Sequence, residues 1–434
     1  MFVMPLLLGN LGSFAESNQQ GLWFVSTTGG DDTNNCATPQ SPCLTIPKVL
    51  GLPTFVEGDT IRVTSGSFPY SEEPFALILD KDVMLSGGWD ATFSGLNGFN
   101  TSIEGKFGGL QILASTSVSM ETFSVHGDAD FAIQNEGTLA ITDGIVWSEN
   151  YSGINNNGFL ALTAVRLRNS FGIALVNYGY MAVNDVVIAG NRFGGVANHG
   201  TMIILNSVVD DFGDWFTTAI GNSGTLTIQN SVIIDSINPY TTPATALYNT
   251  GSTTFINTTI TRSSGGDTTI FNAGGADLHF YNSTFAFNGS GIENAPGGVV
   301  TLQNSILAQN GGNCTGDPIQ SLGFNLIDDT TGCTIISTPD DILNIPALIF
   351  PVKGNAAYAP PANEEALFAP LAFSSPAVNG GNPAGCFDDQ GAPILTDQRG
   401  LPRSGACDIG AYEYIAAFDP LKYLWLPAIL NFSP

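Results

Sequence analysis

Apolar side chains recur in pairs separated by a single residue along the middle of the chain: Leu139/Ile141, Leu160/Leu162, Met181/Val183, Met202/Ile204 and Leu226/Ile228. Alternation of this kind is the signature of a strand with one buried face. Each pair sits two and four residues after a glycine, and that glycine closes an Asn-x-Gly triplet: Asn135-Glu-Gly137, Asn156-Asn-Gly158, Asn177-Tyr-Gly179, Asn198-His-Gly200, Asn222-Ser-Gly224, Asn249-Thr-Gly251 and Asn272-Ala-Gly274. The anchor glycines are 21, 21, 21, 24, 27 and 23 residues apart, and a looser copy follows at Asn294-Ala-Pro-Gly297. A strand-rich period near twenty predicts a β-solenoid.

The position six after the glycine is often Asp or Asn: Asp143, Asp185, Asn206, Asn230 and Asn257. Stacked on successive coils about 4.8 Å apart, these side chains are placed to hydrogen-bond in a ladder and mark a turn. A third segment, with Gly153-Ile154, Gly172-Ile173, Gly194-Gly195-Val196 and Gly291-Ile292, leads back to the next Asn. The expectation is an all-β, single right-handed parallel β-helix with three short strands per coil. Leu22 to about Glu73 reads as an N-terminal cap, with a strand at Trp23 and a short amphipathic helix within Cys43 to Leu50; such a cap shields the interior and strand edges of the first coil. The divisions are 1–20 signal-like, 21–75 N-terminal cap, 76–345 β-helix, 346–414 irregular C-terminal cap and 415–434 tail. The Pro- and Ala-rich stretch from about Ile345 leaves the period.

The chain carries 12 Lys plus Arg against 38 Asp plus Glu, a formal charge of −26, yet only 12% of its 434 residues are charged. That balance excludes nucleic acid and anionic membrane surfaces as partners, because both need clustered cations. No apolar run, Tyr423 to Leu430 included, is long enough to span a bilayer. Residues Met1 to Ala15 have the apolar core and small-residue end of a secretory signal without its basic start; the other reading is an apolar strand capping the fold. The six cysteines fall into sequence-local pairs in loop-rich regions, Cys36 with Cys43, Cys314 with Cys333 and Cys386 with Cys407. Sequence leaves the connectivity open; local disulfides are the expectation, and with them an oxidising compartment and a secreted or cell-surface location.

At the C-terminal end the pattern becomes specific. Ser374-Ser-Pro-Ala-Val-Asn-Gly-Gly-Asn-Pro383, Asp397-Gln-Arg-Gly-Leu-Pro-Arg403 and Cys407-Asp-Ile-Gly-Ala-Tyr-Glu-Tyr414 resemble the characteristic end of the bacterial choice-of-anchor Q family. That resemblance implies a secreted or surface-displayed parallel β-helix of the pectate-lyase-like superfamily, and no particular activity. The segments Trp23 to Leu44 and Leu85-Ser-Gly-Gly-Trp-Asp-Ala-Thr-Phe93 are similar to pieces of such proteins. The tail Lys422 to Leu430 is similar to short Tyr-Leu-Pro endings on exported proteins of Chloroflexi-type bacteria. Read from the residues, Arg399 and Arg403 lie close in sequence to Asp397, Asp408 and Glu413 and suit fork-shaped contacts that hold an irregular cap.

The outward positions of the second strand supply the candidate chemistry. One column reads Ile145, Arg166, Val187, Val208, Val232 and the next Trp147, Arg168, Ala189, Asp210, Ile234. A patch of Trp147, Arg166, Arg168, Asp210, Asp211, Asp214 and Trp215 suits an extracellular polysaccharide, with tryptophan stacking on sugar and carboxylates holding Ca²⁺; Arg192 borders it. Its catalytic candidates are Asp210, Asp211 and Arg168, and its glycan-binding candidates Trp147, Arg166, Asp214 and Trp215. A lyase would pair Ca²⁺ with a Lys or Arg base, and a glycosidase would set two carboxylates about 5.5 Å or roughly 6.5–9.5 Å apart. The signatures of polygalacturonases and the Asp-His pair of pectate lyases are missing. His199 reads as exposed turn decoration, and His126 and His279 have no partner visible in sequence. The Val187, Val208, Val232 stripe needs cover: either residues 346–434 fold back over it, or a second copy or another surface protein does. The reading these features favour is a non-enzymatic structural or adhesive surface protein, with self-assembly into a layer or filament as one form of that role; the alternatives are a polysaccharide lyase or glycosidase and a glycan-binding module.

Overall fold

The computed structural model describes residues 21–68, 71, 73–129, 131–168, 171–210, 218–238, 245–352 and 368–415. The signal-like segment, the tail, Asp211, Asp214 and Trp215 lie outside the described residues. The chain divides into two compact units, Met1–Met202 and Ile203–Pro434. Both are parallel β-solenoid, about 11 turns in all.

A representative coil of the second unit has strands Ile270–Asn272, Asp277–Tyr281 and Thr284–Ala286. Each pairs in parallel with its counterpart one repeat before and one repeat after, Asn272 facing Asn249 and Asn294. In the first unit the two strands that follow the anchor glycine, equivalent to Asp277–Tyr281 and Thr284–Ala286, merge into single bent strands, Thr138–Ser148 and Phe159–Arg168. The bend falls on the residue six after the glycine, which is in the left-handed region: φ is 52° at Asp143 and 54° at Ala164, and 56° at Asp185 in the next coil. In the second unit the equivalent residues Asn206, Asn230 and Asn257 have φ of 48°, 52° and 54°. Asn and Asp tolerate this conformation because their short polar side chains bond locally, whereas Ala164 bears the steric penalty without that return. The expected ladder forms here: Asn230 Nδ2 donates to Asn206 Oδ1 at 3.2 Å and Asn257 Nδ2 to Asn230 Oδ1 at 2.9 Å.

A second ladder, at the Asn of each triplet, lies inside the coil. In the first unit Asn135, Asn156 and Asn177 each donate from Nδ2 to Oδ1 of the next Asn, at 2.7, 2.8 and 2.8 Å, the last of these being Asn198. In the second unit Asn222, Asn249 and Asn272 do the same at 3.0, 2.8 and 3.0 Å, ending on Asn294. All eight are buried. The same amides also satisfy carbonyls; Asn156 Nδ2 donates to Gly158 O and to Tyr180 O. The glycine is demanded by close approach, since a Cβ on Gly158 would stand 2.0 Å from Gly137 O, and one on Gly179 would stand 2.0 Å from Gly158 O.

Apolar pairs fill the interior: Leu139, Leu160 and Met181 in one layer, Val146, Leu167 and Ile188 in another, all buried. In the second unit Phe255 and Phe280 stack across successive coils with centroids 5.0 Å apart. The N-terminal strand Leu22–Val25 pairs with Thr60–Thr64. The helix Ile46–Leu50 is capped by Thr45, whose side chain accepts from Lys48 N, and buries Ile46, Val49 and Leu50. This arrangement is the one the hydrophobic pattern of Cys43 to Leu50 implies.

The apolar stripe of the second unit is covered by the chain itself. Val352 and Ala369 pack on Val232 and Ile234, with Val208 alongside. Ala347, Leu371, Ala377, Ile409 and Tyr412 pack on Ile306, Ala308 and Leu326. Val208 and Val232 are therefore not an open interface for a second copy or another surface protein; the returning segment supplies the apolar contact that the stripe requires. Arginines hold that segment in place. Arg399 forks onto Asp397 at 2.8 and 2.5 Å and donates to Glu413 O at 2.6 Å, with its guanidinium 3.8 Å from the Tyr412 ring. Arg403 pairs with Glu413 at 3.3 Å and reaches Asn257 Oδ1 of the coil at 2.6 Å. Burial beside Glu413 pushes the Asp408 carboxyl up to about 6, against the opposing pull of backbone N–H groups from Asn379 and Tyr414. Disulfides join Cys36 to Cys43, Cys314 to Cys333 and Cys386 to Cys407.

Candidate functional site

Outward side chains on the second strand after each anchor glycine, the one that follows the left-handed turn, align because the parallel register places them one above another. In the first unit one column runs Ser102, Ser124, Ile145, Arg166, Val187. Beside it runs Glu104, His126, Trp147. Strand alternation sends Glu104 and Ser102, or His126 and Ser124, to the same face.

Trp147 rests on His126, ring centroids 4.4 Å apart and tilted by 40°. His126 Nε2 lies 2.9 Å from Asp128 Oδ1, and His126 is 8% exposed while Asp128 is half-buried. Ser67 Oγ donates to Glu104 Oε1 at 3.2 Å. An imidazole close to a carboxylate, with an indole on its face, can present a flat apolar surface edged by polar groups, which is a surface that suits a sugar ring. Sequence reasoning left His126 without a partner. The signals were the closeness of Asp128, just past the end of the strand Phe123–Gly127 that carries His126, and the 21-residue offset to Trp147, which is one repeat.

The seven residues of the sequence-derived patch are not all placed. Trp147, Arg166 and Arg168 are on the outward side of the first unit, with Arg168 exposed, Arg166 half-buried and Arg168 level with Ala189. Asp210 is in the second unit, level with Ile234, and is fully buried. Its register is the outward one that the sequence implies, alternating with the interior Val209, but the side chain is not exposed, and its neighbour in that column, Ile234, lies under Val352 and Ala369. Asp211, Asp214 and Trp215 lie outside the described residues. Among the described residues, no three His, Cys, Asp or Glu side chains gather as a metal-holding group.

The other histidines are accounted for. His199 is exposed and stacks on Tyr178 of the preceding coil, centroids 4.8 Å apart. His279 Nδ1 lies 2.8 Å from Thr301 Oγ1 on the neighbouring strand.

No protein-family model matches the chain, and no curated protein matches it. Among solved structures it is similar to pectate lyase Pel9A, with a TM-score of 0.54 and 14% identity over 92% of this chain and 97% of that one. The alginate lyase AlyGC of family PL6 aligns at a TM-score of 0.37 and 11% identity, over 90% of this chain and 57% of that one. The GH136 lacto-N-biosidase from Eubacterium ramulus aligns at 0.33 and 9%, over 75% and 68%. The likeness to Pel9A is one of fold alone.

Proposed function

We propose that the chain is an exported β-helix protein of the cell surface or extracellular medium, with a structural or adhesive role and the C-terminal end of a choice-of-anchor Q protein. The observation that carries this reading is the use made of that end. The arginines and carboxylates of its most specific motif, Asp397, Arg399, Arg403, Asp408 and Glu413, are packed as internal struts against the coil and one another. The three disulfides fit an oxidising compartment. No segment among the described residues is a helix long and apolar enough to cross a membrane.

A second reading, a polysaccharide lyase or glycoside hydrolase, is favoured by the chain-long likeness to pectate lyase Pel9A and by the His126–Asp128 pair beneath Trp147. The deciding experiment is incubation of the purified chain with neutral and acidic polysaccharides, in Ca²⁺ or chelator, followed by assay of reducing ends and of unsaturated products. No release across the panel is expected. Turnover abolished by His126→Ala or Asp128→Asn would replace the structural reading with the catalytic one. Export is tested separately by protease shaving of intact cells.

A further inference from the structure

Exposed aromatic rings of the first unit gather where the coil leaves its second strand. Tyr151, Phe171 and Phe193 are 55%, 37% and 39% exposed. The turns that carry them are locked coil to coil by backbone hydrogen bonds, Phe171 N to Ser148 O, Gly172 N to Tyr151 O and Phe193 N to Gly172 O. Phe171 and Phe193 lie 5.3 Å apart, and the Arg192 guanidinium stands 5.2 Å from the Phe171 ring. Arg166 and Arg168 end the strand that feeds the same turn. Three of the seven arginines of a chain with net charge −26 thus sit at this strand end and its turns, Arg192 over an exposed ring and Arg168 exposed at the end of the strand. Glu149 is also exposed in the turn that carries Tyr151.

A ring exposed to water carries a hydration cost that a ligand's apolar face removes, and a guanidinium fork matches a carboxylate. The repeat of the coils, about 4.8 Å, is comparable to the length of a pyranose ring. We infer that this edge is the docking site for a carboxylated polysaccharide, whose sugar faces stack on Phe171, Phe193 and Tyr151 while its carboxylates pair with Arg192 and Arg168. The inference deepens the adhesive reading above and rests on it, by naming what is held. A neutral glycan lacks the groups that the arginines recognise, and a protein partner would not require rings at the coil repeat.

The test is affinity electrophoresis of the full chain through gels containing polygalacturonate, with dextran gels as the neutral comparison. An acidic chain is repelled by a polyanion in general, so retardation reports a local site. Retardation in polygalacturonate alone is expected, weakening as ionic strength rises. Arg192→Gln should weaken it roughly fivefold, the order an exposed ion pair supplies, and Phe171→Ala with Arg192→Gln should abolish it. An unchanged thermal melt shows that those variants fold. The inference is overturned by no retardation, by equal retardation in dextran, or by retardation that survives the double substitution. Product release by a chain that still binds would sink the non-catalytic reading and leave the site standing; no binding and no release would sink the site alone.

Discussion

Replacing Asn177 by Ala removes a side chain whose every polar atom is used. Its Nδ2 donates to Asn198 Oδ1 at 2.8 Å, to Thr201 O at 3.1 Å and to Gly179 O at 3.3 Å, and its Oδ1 accepts from Asn156 Nδ2 at 2.8 Å. The site is 0% exposed, so water does not replace what is lost. Asn156 keeps its bonds to Gly158 O and Tyr180 O. Each buried group left without a partner costs about 1–3 kcal/mol, and the space left adds about 1 kcal/mol. With some relaxation the loss should be about 3–5 kcal/mol. It should appear as a lower urea midpoint by circular dichroism, and as faster amide exchange in the strands Ile154–Asn156, Leu175–Asn177 and Val196–Asn198. Asn177→Asp should cost at least as much near neutral pH, because a carboxylate would face Asn198 Oδ1 and two carbonyls, and should recover partly in acid as it regains a donor. Tyr178→Ala, one residue away and 56% exposed, should change stability by less than about 1 kcal/mol. A loss below about 1 kcal/mol for Asn177→Ala would refute the ladder as a source of stability.

Four further outcomes follow from the same geometry. Gly179→Ala drives a methyl into Gly158 O and should destabilise by about 2 kcal/mol or more in the same urea titration. Ala164→Gly relieves a left-handed alanine and should raise stability by about 0.5–1 kcal/mol. Serine in place of both Cys386 and Cys407 opens a 21-residue span and should cost about 3 kcal/mol, seen as the loss of a reductant-sensitive step in the melt. For Asp408 the folded carboxyl, raised to about 6 by burial, binds its proton more tightly than the unfolded one near 3.8. This group therefore stabilises the fold as pH falls from about 6 towards 4, against the trend of ordinary carboxylates, and Asp408→Asn should remove that component from a plot of urea midpoint against pH.

What the sequence alone determined lies in its period. The alternation after each glycine placed the interior pairs, and Asp or Asn six residues on marked the left-handed turn, because both depend on backbone geometry that neighbouring residues set. Once a strand's period and the coil's length are known, parallel stacking brings residue i beside the residue one repeat later, so the turn ladder was readable as well. The Asn-x-Gly triplet was visible as an anchor, but its cause was not. The buried amide ladder and the glycine's contact with the coil below exist only when two backbones approach to van der Waals distance.

Tertiary structure decided the rest. His126 gained Asp128 and Trp147 because a strand and a stacked coil meet there, a conjunction the sequence held as spacings without a reason to join them. The register placed Asp210 on the outward side of its strand but could not say that the side chain would be buried there, and the stripe through Val208 and Val232 was left with rival covers. The segment that closes the second unit's stripe, Ala347 to Tyr412, has no period, so nothing local states where it returns. Its position follows from apolar area on the coil and from Arg399 and Arg403 finding Asp397, Glu413 and Asn257, contacts that link residues up to 146 positions apart in the chain.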